Sequence, residues 1–120
     1  MTVELICRFT DVDDEFVHRA RRAVALLAAQ EMCIEVRLSR STEDPRSFAL
    51  TAEFDSFTGY RRSLSPFDVR TVVIPFLSEA QQSESAVLEV LMQSRDGVLS
   101  EPEVIVDPNA VQPRAAAQAP

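Results

Sequence analysis

The sequence predicts an α+β domain built from two βαβ halves. Three observations carry that reading. Four short runs alternate apolar and polar residues; a long stretch with a helical apolar period follows the first run; a second helical stretch separates the third and fourth runs. At 120 residues the chain holds one domain with a modest core, and its 46% hydrophobic content is that of a soluble globular protein.

The first strand is expected over Val3 to Phe9, where Val3, Leu5, Cys7 and Phe9 alternate with Glu4, Ile6 and Arg8. The polar stretch Thr10 to Asp14 then offers Asp13 or Asp14 as the N-cap of a helix running to about Gln30. On that helix Phe16, Ala20, Ala23 and Leu27 share a stripe flanked by Val24, with His18, Arg22, Ala25 and Ala29 opposite. Cys33 to Arg40 is the second strand, with Ile34, Val36 and Leu38 on one face and Glu35 and Arg37 on the other. The turn cluster from Ser41 to Arg46 leads into the third strand, Ser47 to Asp55, whose apolar face is Phe48, Leu50, Ala52 and Phe54. These two strands form a β-hairpin.

Ser56 to Leu64 predicts a short helix with Phe57, Tyr60, Arg61 and Leu64 on one side. Ser65 is expected to cap a second helix, with Pro66 at its first position. From Phe67 to Leu77 that helix is apolar nearly all round, which predicts burial on most of its circumference, and Pro75 is expected to kink or end it. Ser78 to Ser85 is a polar loop and Ala86 to Met92 the fourth strand. After Gly97 a tail rich in proline and alanine begins, so the expected division is a domain over 1–96 and a partly disordered tail over 97–120. Glu103 to Val106 is a candidate edge strand within it.

The order strand, helix, strand, strand, helix, strand is the ferredoxin-like arrangement, with expected sheet order 4-1-3-2 and both helices on one face. The other face then carries Glu35, Arg37, Thr51 and Glu53, with Arg8 or Glu4. It is either solvated or packed against a second subunit's sheet. The topology also separates the two cysteines. Cys7 and Cys33 lie on strands one and two with strand three between them, about two strand spacings apart and too far for a disulfide.

Composition excludes several classes of function. With 19 acidic residues against 12 basic ones, all arginine, the net charge of −7 repels nucleic acid and anionic membranes on average. No apolar run approaches the length of a membrane span, and no leader-like segment opens the chain, so the expectation is a cytoplasmic protein. Two cysteines and the single His18 do not make a four-ligand metal site.

The segment from Ser47 to Arg70 resembles the antibiotic biosynthesis monooxygenase (ABM) domain family. Its pieces are the strand end Phe54-Asp55, Tyr60 in a short helix, the break Ser65-Pro66, and a helix ending at Pro75-Phe76-Leu77. The resemblance spans about residues 3 to 95. It implies a dimeric α+β barrel, in which the charged face (Glu35, Arg37, Thr51, Glu53) joins two subunits into a homodimer. It also implies oxygenation of a quinol or polyphenolic aromatic by O2 with no cofactor and no metal. Phe54 stands where many members carry tryptophan, and Arg62 or Ser63 where many carry histidine. The asparagine, tryptophan and histidine of the haem-degrading relatives have no counterparts: tryptophan is missing, Asn109 lies in the tail, and His18 is on the far helix face.

Such chemistry needs an aromatic-walled pocket with one or two hydrogen-bonding groups. The expected substrate-binding residues are Phe54, Phe57, Tyr60, Phe67 and Arg70, and the catalytic candidates are Tyr60, Arg62 and Ser63. An arginine stabilises a phenolate but is a poor base, whereas Tyr60 can donate a hydrogen bond or a proton. The alternative is a non-catalytic dimeric module that binds an aromatic metabolite or assists a biosynthetic enzyme.

Overall fold

A computed structural model describes residues 2–101. The expected strand at 103–106 and the tail beyond residue 101 lie outside the described residues. The elements run β1 (Val3–Phe9), α1 (Asp14–Ala28), β2 (Cys33–Arg40), β3 (Phe48–Phe54), α2 (Phe57–Ser63), a π-helical turn (Val69–Val73) leading into α3 (Ile74–Leu77), and β4 (Ala86–Glu89). A small hairpin, β5 (Gln93–Arg95) and β6 (Val98–Ser100), follows. The sheet order is β2-β3-β1-β4, antiparallel throughout, as the split βαβ reading requires. β3 separates Cys7 from Cys33, and both thiols are free.

The core lies between one sheet face and the helices. Val3, Leu5, Cys7 and Phe9 of β1 and Phe48, Leu50, Ala52 and Phe54 of β3 are buried at every second position. The α1 stripe of Phe16, Ala20, Ala23 and Leu27 is buried against them. Asp13 starts α1 by accepting from the amides of Glu15 and Phe16, 3.1 and 3.4 Å away. The ring of Phe16 lies 4.8 Å from that of Phe9, 5.2 Å from Phe48 and 5.0 Å from Phe76. One side chain thus joins β1, β3, α1 and α3.

Four expectations are corrected. A bulge between Cys33 and Glu35 leaves Ile34 without a place in the ladder. Ile34 therefore turns outward, 51% exposed, and Cys33 takes the half-buried position above Val36. The second helix is amphipathic, not enveloped: Val69, Val73 and Phe76 are buried, but Phe67 is 69% exposed and Ile74 is also exposed. One helical layer on a small sheet has nothing to cover that outer face. Ser65 does not cap this helix; its hydroxyl donates back to the Arg62 carbonyl at 2.8 Å. Pro75 does not end it either. The preceding turn widens so that the Ile74 amide reaches the Val69 carbonyl, and helix continues to Leu77. A π-turn relieves the clash that proline imposes on a regular helix.

The fourth strand is also shorter than expected, ending at Glu89 instead of Met92. The 96/97 division falls within the turn of the β5–β6 hairpin, where Asp96 (φ 53°) and Gly97 (φ 78°) both adopt the left-handed conformation. Two consecutive positive φ angles are the signature of a tight hairpin turn, and Asp-Gly is a favoured sequence for it.

The opposite sheet face is open. The pairing sets Leu88, Glu4, Glu53 and Glu35 in one row across the strands, and Ala86, Ile6, Thr51 and Arg37 in the next. Arg37 Nε meets Glu35 Oε2 at 2.8 Å.

Truncating the central ring tests this packing. Phe16→Ala should cost about 3–5 kcal/mol of unfolding free energy, read as a lower midpoint in urea denaturation. Ile34→Ala, on the outward bulge, should cost less than about 1 kcal/mol by the same measurement.

Candidate functional site

The short helix α2 is fixed at both ends by local chemistry. The Asp55 amide donates to the Met32 carbonyl at 3.0 Å, anchoring the end of β3 to the start of β2. Ser56 Oγ then caps α2 by accepting from the Gly59 amide at 2.8 Å, while donating to Asp55 Oδ1 at 3.0 Å. The buried Ser63 hydroxyl donates to the Gly59 carbonyl at 2.7 Å. The face turned inward is therefore Gly59 and Ser63, with Tyr60 and Leu64 half-buried beside it. Arg61, expected on that side, is exposed.

Gly59 is the functional position that sequence reasoning missed. A Cβ there would run into the Asp55 carboxylate and come within 3.0 Å of Met32 Cβ. Only glycine lets α2 sit this close to the strand ends, and an isolated glycine in a helical pattern was the available signal.

This seating produces a string of three rings. Phe54 is fully buried; Tyr60 meets it edge-on with centroids 5.4 Å apart; Phe57 follows at 5.9 Å. Phe57 is partly exposed and forms the apolar wall of a cleft of about 350 Å³ with Thr58, Arg61, Arg62 and Ser65. Arg62 also borders a smaller cleft of about 160 Å³ with Ser63, Gln30, Glu31 and Met32. Of the expected site residues, Phe57 and Arg62 line the larger cleft and Arg62 and Ser63 the smaller, while Phe54 and Tyr60 stand behind Phe57 and line neither. Phe67 and Arg70 are exposed on the next helical segment and line neither cleft.

A larger groove of about 480 Å³ runs between α1 and α3. Its rim is already neutralised by the Arg19–Glu79 pair at 2.5 Å, and the Phe54–Tyr60–Phe57 string does not reach it. The α2 cleft is the better candidate because it joins an exposed ring to two arginines. Among the described residues no group of three or more metal-ligating side chains comes together.

Burial pushes the Tyr60 phenol above its ordinary range, and the nearby Cys7 thiol adds to the shift. Tyr60 therefore stays protonated, as a donor, across neutral pH. Burial likewise raises the Cys7 thiol, against the opposing effect of the Ser85 hydroxyl, and it raises Cys33.

Two measurements check these assignments. Tyr60 is the sole tyrosine and the chain has no tryptophan, so ultraviolet titration reads it alone. Its ionisation should occur above about pH 10 in the folded protein and fall toward that value in Phe57→Ala. All three raised groups hold their protons more tightly folded than unfolded. Folding stability should thus be complete below the unfolded thiol range, about pH 8.5, and decline as pH rises through the thiol and phenol ranges.

No family model matches the sequence, and no curated protein does. Solved structures do resemble the fold. SnoaB, a cofactor-independent oxygenase from Streptomyces nogalater, is 22% identical over 74% of this chain and 92% of its own, with a TM-score of 0.63. A conserved protein from Methanosarcina mazei Go1 is 15% identical over 72% of this chain and 88% of its own, with a TM-score of 0.58. A structure described as an antibiotic biosynthesis monooxygenase is 15% identical over 85% of this chain and 99% of its own, with a TM-score of 0.55. The chain therefore has the ferredoxin-like α+β fold of the antibiotic biosynthesis monooxygenase structures.

Proposed function

We propose that this protein is a cofactor-independent monooxygenase acting on a quinol or polyphenolic aromatic, and that it works as a homodimer joined through the open sheet face. The observation that carries the reading is the Phe54–Tyr60–Phe57 string, whose outermost ring, Phe57, shares a cleft with Arg61 and Arg62, on a fold that a cofactor-independent oxygenase shares.

The chemistry follows from those groups. An electron-rich aromatic lies against the Phe57 ring, where stacking is favourable. Arg61 and Arg62 remain protonated and favour the phenolate, so the phenolic proton leaves to water through the open cleft. The anion supplies the electrons to O2, and a carbon–oxygen bond forms at an activated methylene or ring carbon. Tyr60 donates a hydrogen bond to the negative oxygen as charge develops there. The O–O bond then breaks. One oxygen stays as a carbonyl; the other departs as water with the two hydrogens lost from carbon. For a methylene, CH2 and O2 give C=O and H2O, and the substrate is the reductant.

The dimer reading rests on the open face. Ile6 gives it an apolar residue on a central strand and Leu88 one on the β4 edge, and Glu35, Arg37, Glu53 and Arg8 give it charges of both signs. A two-fold axis sets such charges against one another.

Oxygen-electrode assays with a panel of quinols and anthrones test the proposal. Uptake above the no-enzyme rate is expected, and Tyr60→Phe should lower kcat by about 10²-fold with unchanged far-ultraviolet circular dichroism. Arg62→Gln should act mainly through KM. Ligand-raised melting temperature without turnover would instead establish a non-catalytic binding module. The absence of both oxygen uptake and a thermal shift would refute the α2 cleft as a ligand site.

A further inference from the structure

Five of the nine large apolar side chains exposed among the described residues fall between positions 88 and 99: Leu88, Leu91, Met92, Val98 and Leu99. They cluster in and around the β5–β6 hairpin. Its register, Ser94 opposite Leu99 and Arg95 opposite Val98, puts Val98 and Arg95 on one face and Leu99 on the other. Among the described residues neither face is covered: apart from each other, β5 and β6 make no substantial contact with any other described element. A two-stranded hairpin alone in water is marginal. Exposed apolar residues on both of its faces need a surface from elsewhere.

The open face of the sheet has a complementary shortage. Glu4, Glu53 and Glu35 stand side by side on adjacent strands. Arg37 serves Glu35, while Glu4 and Glu53 have no ion pair among the described residues. Like charges directly opposite in a sheet repel, so this row favours an added cation. Leu88 and Ile6 beside it are apolar. The hairpin offers the matching pattern, Arg95 beside Val98, yet does not lie on the sheet of its own chain.

We infer that the segment from Leu91 to Ser100, which leaves the sheet after the Val90 amide donates to the Thr2 carbonyl at 3.0 Å, is an arm that reaches across to a second copy of this chain and lays Arg95 against that copy's Glu4 and Glu53. The inference rests on the proposed homodimer and goes beyond it. The reciprocal arms add to the interface that the sheet faces make.

Sedimentation velocity and hydrogen exchange on the full chain test it together. A dimer is expected, with hairpin amides 93–100 protected at high protein concentration and losing protection on dilution. Arg95→Glu should weaken the dimer about tenfold or more, and Glu53→Arg in the same chain should restore it. Leu99→Asp, exposed in the single chain, should dissociate the dimer without altering the monomer's circular dichroism. A persisting dimer with unprotected hairpin amides would overturn the arm and leave the sheet-face dimer standing. Protection independent of concentration would show that the chain covers its own hairpin and would overturn the arm. A monomer at all concentrations would overturn both the arm and the homodimer. Weakening by Arg95→Glu without rescue would overturn the pairing with Glu53.

Discussion

Everything in this molecule depends on the helices packing on one face of a four-stranded sheet through a small set of phenylalanine rings. Phe16 is the junction, touching Phe9, Phe48 and Phe76. Burying one such ring is worth about 1.5–3 kcal/mol, a large share of the stability of a domain this size. Because that single layer satisfies the sheet on one side, the other side is left with its carboxylates, its arginines and Ile6. The same constraint that makes the fold stable makes its second face an open surface.

The ring string at the other end of the core has a different purpose. Phe54 belongs to the packed interior, Tyr60 stands halfway out, and Phe57 reaches the cleft. The rings form this graded series only because α2 sits down on the strand ends, which in turn requires Gly59 to lack a side chain. Ser56 and Ser63, one at each end, hold the helix in that seat through backbone atoms of Gly59. The phenol of Tyr60 is kept neutral by the packing that positions it. The half-buried place of Tyr60 between Phe54 and Phe57 is therefore a product of local backbone geometry.

Much of this was legible in the sequence, for physical reasons. β1, α1, β2 and β3 have strict periods, and a strict period reports which side is buried whatever lies there. The aromatic residues at 54, 57 and 60 were also readable as a group. Periodicity failed where apolar residues had nothing to cover them. Phe67 and Ile74 read as interior because the stretch is greasy on all sides, but a one-layer helical cover exposes its outer face. Ile34 read as inward because the alternation counts residues, and a bulge inserts one that the count does not see. Pro75 read as a stop because a regular helix rejects it, while a π-turn accommodates it. The β5–β6 hairpin was legible in principle from Asp96-Gly97 between short β-compatible runs, but the proline-rich stretch beyond made Gly97 look like the start of a tail. Phe67 and Arg70 joined the expected site on sequence proximity, and the path of the chain carries them away from it.

The most direct test of the account is a crystal structure with a bound, redox-inert phenolic analogue of a quinol. The analogue's ring should lie against Phe57, with its phenolic oxygen within hydrogen-bond distance of Arg61 or Arg62. An analogue seated instead in the groove between α1 and α3, with the α2 cleft empty, would contradict it.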